Sequence, residues 1–381
     1  MEARSVVIVA HKYLTQPDDE LVAYLNERPG RRVLHICHSF SDAADRRSRF
    51  QLYADGRLVT RGEGRDYASW PEIAIYAKEM LLTLAWTLRL GLRWDLYVGM
   101  DGLCVLFGHL LRAFGRVAKT VYWAIDYVPE SRFASALKNR IYRAVNRSGY
   151  RRADEVWDLG PRMAEARELY EAFTSADYRK LRTVPYGVWL ERIPHHRYAE
   201  CERASIVFMG HLLEKQGVQL AIGALPMVRR RIPDARLTIL GDGAYRAELE
   251  RLATELGVAA YCEFMGRIPD IRDLERRVAR SCVAVAPYVA ALDTWTRYAD
   301  PGKVKTYLAC GVPVVLTDLP WNAHDIEHHG CGVVVSEDLE SIADAIVRVM
   351  EPETNRQMRA NARAYAASFD WRDIFQEALQ E

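Results

Sequence analysis

The sequence predicts an α/β protein made of two Rossmann-like, doubly wound domains that face one cleft. Three observations predict this class. The chain has 381 residues, which is more than one hydrophobic core usually holds. Short apolar runs, typical of buried parallel strands, alternate with segments in which apolar residues follow helical spacing. This alternation stops at residues 189–203, which are polar and irregular, and then begins again.

The break in the pattern sets the predicted domain boundaries. Residues 1–185 form the first domain, 186–204 a linker and 205–365 the second domain. Residues 366–381 are predicted to form an amphipathic terminal helix, which packs either on its own domain or back across the first. Ligands of doubly wound domains bind at the carboxyl ends of the strands, so the loops that follow the strands are the candidate sites.

The first domain is predicted to contain five parallel strands with helices between them. The apolar runs that indicate strands are Ser5–Ala10, Arg32–Cys37, Asp95–Gly99, Lys119–Ile125 and Glu155–Leu159. The segments with helical spacing are Asp19–Asn26, Leu103–Phe114, Ser135–Arg152 and Pro161–Phe173. One further apolar stretch, Ile73–Leu92, is interrupted by charged residues and is too short between them to span a membrane.

The second domain repeats the pattern. Its predicted strands are Ile206–Met209, Arg236–Leu240, Tyr261–Met265, Val283–Pro287 and Val312–Thr317. Its predicted helices are Val218–Arg230, Tyr245–Leu256, Asp270–Arg280, Pro301–Cys310 and Leu339–Met350. Such strand–helix alternation indicates successive βαβ units on a parallel sheet.

Charge is divided unevenly between the halves of the chain. Residues 1–200 carry 31 Lys+Arg against 25 Asp+Glu, and the remaining residues carry 21 against 26. The excess in the first half is too mild for a nucleic-acid-binding domain. The basic helix Ser135–Arg152, together with Ile73–Leu92, predicts either a patch that binds an anionic membrane surface or an ordinary solvated basic face.

The seven cysteines are scattered and form no C-x-x-C pair. This usage is typical of reduced cysteines in a cytosolic protein, so we expect a cytoplasmic enzyme, peripheral on the inner face of the membrane if the basic patch binds lipid. No zinc-binding His spacing or nucleophile elbow is present, and we expect no metal and no cofactor.

Glycines follow three of the predicted strands in the second domain, at Gly210, Gly241 and Gly266. Glycine at a strand end lets a loop turn sharply or approach a ligand closely. The segment Asp300–Gly311 adds a helix start, with Asp300 as the expected N-cap residue. Lys303 in the first turn opposes the helix dipole, and an anionic ligand such as a phosphate would remove that conflict. Lys305 is expected at the surface.

These motifs, in this order, resemble the donor half of GT-B glycosyltransferases of group 1. The residues that carry the resemblance are Gly210–Gly217, Leu240–Gly243, Phe264–Ile268, Ala286–Tyr288 and Lys303–Val315. The resemblance implies a nucleoside-diphosphate sugar as co-substrate, bound without a required metal. The family's usual basic residues fall at the positions of His211 and Gln216.

The resemblance also implies, position by position, which residues bind the donor. By role they are Gly210, His211, Lys215 and Lys303 at the diphosphate, Gly241 in the second glycine loop, Arg267 and Ile268 at the base, Tyr288 near the nucleotide, and Thr306 facing the donor.

A large retaining group of the family carries a Glu-x7-Glu pair, but here Tyr298 and Thr306 occupy those positions. The segment is closer to xanthan-type glucuronosyltransferases, which invert the anomeric centre. Inversion needs a base for the acceptor hydroxyl. Asp126, at the end of the run Val121–Asp126, matches the spacing of the xanthan enzyme's catalytic aspartate and is the predicted base. His11, which follows the first strand, is the alternative.

The sequence therefore predicts a hexosyltransferase that moves a sugar from a nucleoside-diphosphate sugar to a glycan or lipid-linked acceptor in polysaccharide biosynthesis. Two alternatives stay open at this point. One is a sugar-nucleotide 2-epimerase of the same fold, which product analysis with donor alone would identify. The other is a non-catalytic nucleotide-sugar-binding module, which a donor-hydrolysis assay would identify.

Overall fold

The structure is a computed structural model that describes residues 3–12, 17–39, 45–66, 70–129, 131–292 and 296–380. The chain divides into two compact units. Unit 1 consists of Met1–Pro185 and Ile374–Glu381, and unit 2 consists of Tyr186–Asp373. Each unit is a sheet covered by helices, and the α/β class predicted from the sequence is confirmed.

Unit 1 contains an eight-stranded sheet in the order β4-β3-β2-β1-β5-β6-β7-β8. The strands are β1 Ser5–Lys12, β2 Arg32–Ser39, β3 Arg49–Ala54, β4 Arg57–Glu63, β5 Trp94–Gly99, β6 Val117–Ala124, β7 Glu155–Asp158 and β8 Leu181–Thr183. The helices are α1 Asp18–Asn26, α2 Glu72–Arg89, α3 Gly102–Ala113, α4 Ala136–Arg152 and α5 Arg162–Glu171. Its core is buried between the sheet and α3, around Trp94, Tyr97 and Phe107.

An antiparallel hairpin extends one edge of this sheet and was missed by the sequence analysis. Strand β3 pairs antiparallel with both β2 and β4, whereas the other pairings in unit 1 are parallel. Asp55 and Gly56 join the two strands with φ of 50° and 72°. Positive φ at both central residues is the type I′ turn, for which Asp-Gly is a favoured sequence. The signal was therefore present, in a stretch without the helical spacing of a βαβ unit.

Unit 2 contains a six-stranded parallel sheet in the order β11-β10-β9-β12-β13-β14. The strands are β9 Glu202–Met209, β10 Arg236–Leu240, β11 Cys262–Gly266, β12 Ser281–Ala286, β13 Val314–Thr317 and β14 Gly332–Val335. The helices are α6 Val218–Arg231, α7 Arg246–Glu255, α8 Ile271–Arg280, α9 Gly302–Ala309, α10 Ala323–His328, α11 Leu339–Met350 and α12 Pro352–Ala366. Its core joins β9, β10 and β12 to α6 and α11.

The last helix, α13 (Trp371–Leu379), begins in unit 2 and ends in unit 1. The Phe375 ring is buried among unit 1 aromatics, 5.3 Å from the Tyr24 ring and 5.8 Å from the Trp123 ring between centroids. Aromatic contacts at these separations add packing energy beyond simple burial. The end of the chain thus completes the first unit.

Candidate functional site

The carboxyl ends of β9 and β10 in unit 2 meet through two glycines. Gly210 follows β9 and Gly241 follows β10, and the Gly210 amide donates to the Leu240 carbonyl oxygen at 3.0 Å. A Cβ atom on Gly241 would lie 1.8 Å from the Gly210 carbonyl oxygen, and its φ is 157°. Only glycine fits there, so the two loops run directly against each other at the ligand-binding edge of the sheet.

A second close approach fixes the loop that carries Lys215. Gly217 has φ of 75°, and a Cβ there would lie 1.6 Å from the Pro287 carbonyl oxygen. The Val289 amide donates to the Lys215 carbonyl oxygen at 3.1 Å. The backbone of this loop is therefore held against the segment that carries Tyr288.

Lys303 lies at the centre of this edge. Its ammonium Nζ donates to the Gln216 side-chain oxygen at 2.7 Å. The same Nζ lies 4.4 Å from the centroid of the Phe208 ring and 4.3 Å from that of the Tyr288 ring. Aromatic faces attract cations, and the amide oxygen fixes where the ammonium points. The structure thus brings Lys303, Gly210, Tyr288 and the Lys215 loop together, with a positive charge beside the glycine backbone.

Helix α9 presents its N-terminus at the same edge, because Lys303 is its second residue. Tyr307, one turn further on, is fully buried, and its hydroxyl accepts a hydrogen bond from the Met209 amide at 2.6 Å. This bond ties the helix to the end of β9. Thr306 is half-buried, and its hydroxyl donates to the Gly302 carbonyl oxygen at 3.2 Å. Free N–H groups at a helix start and the helix dipole both favour an anion.

Two sequence expectations about this helix are wrong. Pro301, not Asp300, is the N-cap residue, and Lys305 is buried rather than at the surface. The Asp300 carboxylate accepts from Lys305 Nζ at 2.5 Å, from the Tyr186 amide at 2.6 Å and from the Trp321 indole at 3.1 Å. Burial lowers the pKa of Lys305, and Asp300 offsets part of that effect. The Asp300–Lys305 pair thus holds the backbone of Tyr186, which bonds to both side chains.

The remaining predicted donor residues lie on the loops that follow β9 and β11. His211 and Arg267 are exposed, whereas Ile268 is half-buried. Strand β11 lies beyond β10 in the sheet order, so Arg267 and Ile268 are two strands away from β9. Their predicted roles at the base remain predictions.

Asp126 follows β6 in unit 1 and is exposed, with 56% of its side-chain surface accessible. Its Oδ2 accepts a hydrogen bond from Arg132 Nη1 at 3.0 Å. Arg132 also donates to the Tyr142 hydroxyl at 3.1 Å, which links this loop to α4. An exposed carboxylate at a strand's carboxyl end has the accessibility that a general base needs.

His11, the alternative base, is buried between two carboxylates. Its Nδ1 lies 2.6 Å from Asp101 Oδ2 and its Nε2 lies 3.1 Å from Glu79 Oε2. Burial alone would lower the pKa of His11, but the Asp101 carboxylate raises it well above the usual value. A protonated imidazole with both nitrogens occupied has no lone pair to offer a substrate, so the structure disfavours this role.

Asp101 and Glu79, two carboxylate partners of His11, were not predicted from the sequence. Asp101 follows β5 and caps α3, because its Oδ1 accepts from the Cys104 amide at 2.8 Å. An aspartate between a strand and a helix is a recognisable N-cap signal. Glu79 gave no such signal, because it lies within an apolar stretch and faces inward only in the folded helix.

Comparison with known families and proteins agrees with this geometry. Residues 203–352 match the family model described as "Glycosyl transferases group 1". A GDP-mannose-dependent alpha-(1-6)-phosphatidylinositol monomannoside mannosyltransferase of Mycolicibacterium smegmatis is 32% identical over 185 residues, which cover 46% of this chain and 47% of that protein. A glycogen synthase of Mycobacterium tuberculosis is 26% identical and covers 58% and 49%. The chain thus spans about half the length of the curated relatives it matches.

Solved structures resemble the whole chain. Sucrose-phosphate synthase from Thermosynechococcus elongatus superposes with a TM-score of 0.73 at 18% identity, covering 99% of this chain and 98% of that one. The Anabaena protein HepE, crystallised with UDP, gives a TM-score of 0.70 at 15% identity with the same coverage. These similarities show the fold, which is that of GT-B glycosyltransferases. Within the described residues, no helix is both long and apolar enough to cross a bilayer.

Proposed function

We propose, from the match of residues 203–352 to the family of group 1 glycosyltransferases, that this chain transfers a hexose from a nucleoside-diphosphate sugar to an acceptor hydroxyl. One observation carries the proposal. The Lys303 ammonium lies at the ligand-binding edge of the unit 2 sheet, beside glycine backbone and the start of α9. A diphosphate is the ligand that this combination of cation, helix dipole and closely approachable backbone favours.

The donor class is tested with a panel of nucleoside-diphosphate sugars in a thermal-shift assay. A ligand that binds only the folded state stabilises it by about 2.7 kcal/mol at a hundredfold excess over Kd. We expect one nucleoside diphosphate, with or without its sugar, to raise the melting temperature without added metal. HepE bound UDP, and the mannosyltransferase relatives are named for GDP-mannose, so both bases belong in the panel.

Asp126 is the proposed general base, and the proposed stereochemical outcome is inversion. Exposure and position after a strand support the assignment. Asp126→Asn keeps the shape of the side chain but removes its ability to accept the proton. General-base removal typically costs about 10²–10⁴ in rate. We expect kcat to fall by that factor while donor affinity stays unchanged, as measured by transfer kinetics and calorimetric titration.

The control is Glu168→Gln, which neutralises an exposed carboxylate on α5. It should transfer at the normal rate. Near-normal turnover by Asp126→Asn would reject the assignment of the base. The anomeric configuration of the product, read by NMR, tests inversion separately.

The acceptor is proposed to be lipid-linked and presented at an anionic membrane surface. Helix α2 carries a row of apolar residues on its outer face: Ile73, Leu81 and Leu88 are 79%, 63% and 43% exposed. Its inward face includes the polar residues Lys78 and Glu79, which are buried. An amphipathic helix with its apolar face in solvent is typical of a surface that lies on a membrane.

Helix α4 adds positive charge beside this surface. Its exposed residues Leu137 and Ile141 share a face with Arg140, and Lys138 forms an ion pair with Glu72 at the start of α2. Each Lys or Arg near an anionic bilayer contributes about 1 kcal/mol. The Arg132–Tyr142 bond connects α4 to the Asp126 loop, so the proposed surface and the proposed base belong to one structural neighbourhood of unit 1.

Co-sedimentation with vesicles tests the surface. We expect salt-sensitive binding to vesicles that contain anionic lipid and little binding to neutral vesicles. Leu81→Glu should reduce the bound fraction at least severalfold. Leu169→Glu is the matched control, because Leu169 is 71% exposed on α5 and lies outside the surface. Equal binding of the two variants would reject the membrane proposal and leave the transferase proposal intact.

A further inference from the structure

Three side chains of different chemistry converge in unit 1, away from the residues discussed so far. Asp18 Oδ2 lies 2.7 Å from His35 Nε2, and Cys37 Sγ lies 3.1 Å from the same nitrogen and 3.7 Å from Asp18 Oδ2. Asp18 is fully buried, His35 is 3% exposed and Cys37 is half-buried. A carboxylate, an imidazole and a thiol thus direct one ligand atom each toward a common point.

The fold explains why these residues meet. His35 and Cys37 are alternate residues of β2, so their side chains lie on the same face of the sheet. Asp18 is the first residue of α1, and this helix packs against β1 and β2. The second carboxylate oxygen, Asp18 Oδ1, is buried and makes no hydrogen bond within the described part of the chain. An unsatisfied buried acceptor costs about 1–3 kcal/mol, which a bound cation would offset.

We propose that Asp18, His35 and Cys37 bind a zinc ion, with the fourth coordination position open to water. Zinc takes imidazole nitrogen, thiolate sulfur and carboxylate oxygen at about 2.0–2.3 Å, so tetrahedral ligand atoms lie roughly 3.3–3.6 Å apart. The three separations of 2.7, 3.1 and 3.7 Å reach that range with small side-chain rotations. Carboxylate and thiolate together neutralise the charge of the ion.

One basic side chain near the site has anionic partners. Lys12 lies near Asp18 and forms an ion pair with Asp19, which offsets its charge. Zinc binding deprotonates the Cys37 thiol and the His35 ring, and the protons pass to solvent. The bound ion would join the start of α1 to the middle of β2. This site is not recognisable from the sequence, because a His-x-Cys pair with an aspartate far before it matches no common zinc spacing.

A second trio, His11, Asp101 and Cys104, has equally close ligand atoms, but more of these atoms are already hydrogen-bonded. Both ring nitrogens of His11 lie on carboxylates, and both oxygens of Asp101 are used, one by His11 and one by the Cys104 amide. A metal there would displace the bonds of both His11 nitrogens and both Asp101 oxygens, whereas a metal at the first trio would replace the His35–Asp18 hydrogen bond and could use the unsatisfied Asp18 Oδ1. The second trio therefore serves as the internal comparison for the first.

Cobalt substitution of the full chain tests the proposal. The purified protein is stripped with a chelator and titrated with Co²⁺. We expect one equivalent to bind, with a thiolate-to-cobalt charge-transfer band in the near ultraviolet and the visible bands of tetrahedral cobalt. Cys37→Ser should abolish the charge-transfer band, and Cys104→Ser should keep it. A band that survives Cys37→Ser, or titration without a stoichiometric end point, would overturn the proposal.

Protection of thiols from alkylation tests the same site in the wild-type chain, so the result does not depend on whether a variant folds. Cys37 and Cys262 are both half-buried, so they provide a matched pair within one molecule. The wild-type chain is alkylated with and without Zn²⁺, and each thiol is followed by mass spectrometry. We expect Zn²⁺ to slow alkylation of Cys37 at least tenfold and to leave Cys262 unchanged. Equal rates at Cys37 with and without Zn²⁺, or equal slowing of both thiols, would contradict the site.

Discussion

The carboxyl-terminal edges of the two sheets differ in the groups that contact their basic side chains. In unit 2, the Lys303 ammonium donates to an amide oxygen and lies over two aromatic faces. In unit 1, His11 lies between Asp101 and Glu79, and Asp126 pairs with Arg132. The contacts of Lys303 are with neutral polar and aromatic groups, whereas those of His11 and Arg132 include carboxylates.

This difference distinguishes a basic group that can bind a ligand from one that stabilises the fold. An amide oxygen and aromatic faces hold a cation more weakly than a carboxylate does, so they compete less with an incoming phosphate. A buried cation that already has its anion contributes to the fold and is costly to disturb. The same contrast occurs two residues apart on α9, where Lys303 is half-buried and Lys305 is buried against Asp300. Substitutions of Lys305, His11 and Lys303 therefore test whether the two kinds of basic group have different roles.

The largest effect is expected for Lys305→Met. The change leaves the Asp300 carboxylate buried without its cation, and breaking a buried pair typically costs about 3–5 kcal/mol. We expect the free energy of unfolding of the chain to fall by that amount in urea titration. Donor affinity of the molecules that remain folded should be little changed. A stability loss below about 1 kcal/mol would show that this pair is not structural.

A smaller effect is expected for His11→Gln, and it should depend on pH. The pKa of His11 is raised in the folded state, so its charge stabilises the fold fully below the unfolded pKa of about 6.5. That contribution is lost as pH rises through the folded value. We therefore expect wild-type stability to decline above neutral pH, by about 1.5–3 kcal/mol, which is typical of hydrogen bonds to charged groups.

His11→Gln should flatten that decline. His324→Gln, which changes an exposed histidine, is the control and should keep the wild-type profile. Urea titrations at a series of pH values measure both. Parallel profiles for wild type and His11→Gln would show that the buried imidazolium does not set the pH dependence.

The two edges also differ in how much the sequence could predict. The proposed donor site of unit 2 consists of local features, such as glycines at strand ends and a lysine at a helix start, and these are visible as motifs. The edge of unit 1 depends on contacts between residues far apart in sequence, such as His11 with Glu79 and Asp101. Periodicity placed the main strands and helices, but it could not show which face of α2 would be buried.

The same limit explains the error at Asp300. The sequence showed an aspartate before a proline, which is a sound N-cap pattern. The Asp300 carboxylate instead accepts hydrogen bonds from Lys305 and from the amide of Tyr186, which lies 114 positions earlier in the chain. A distant backbone amide and a buried ammonium outcompeted the local cap. Such competition is settled by tertiary packing and leaves no trace in the local sequence.

Calorimetric titration of the preferred nucleoside-diphosphate sugar into Lys303→Met tests directly whether Lys303 binds the donor diphosphate. Losing one charge-assisted contact to phosphate costs about 1.5–3 kcal/mol, so Kd should rise roughly tenfold to a hundredfold, without a loss of stability. Lys138→Met, an exposed lysine on α4, should bind the donor as the wild type does. An unchanged Kd in Lys303→Met would contradict the central claim that Lys303 holds the donor diphosphate.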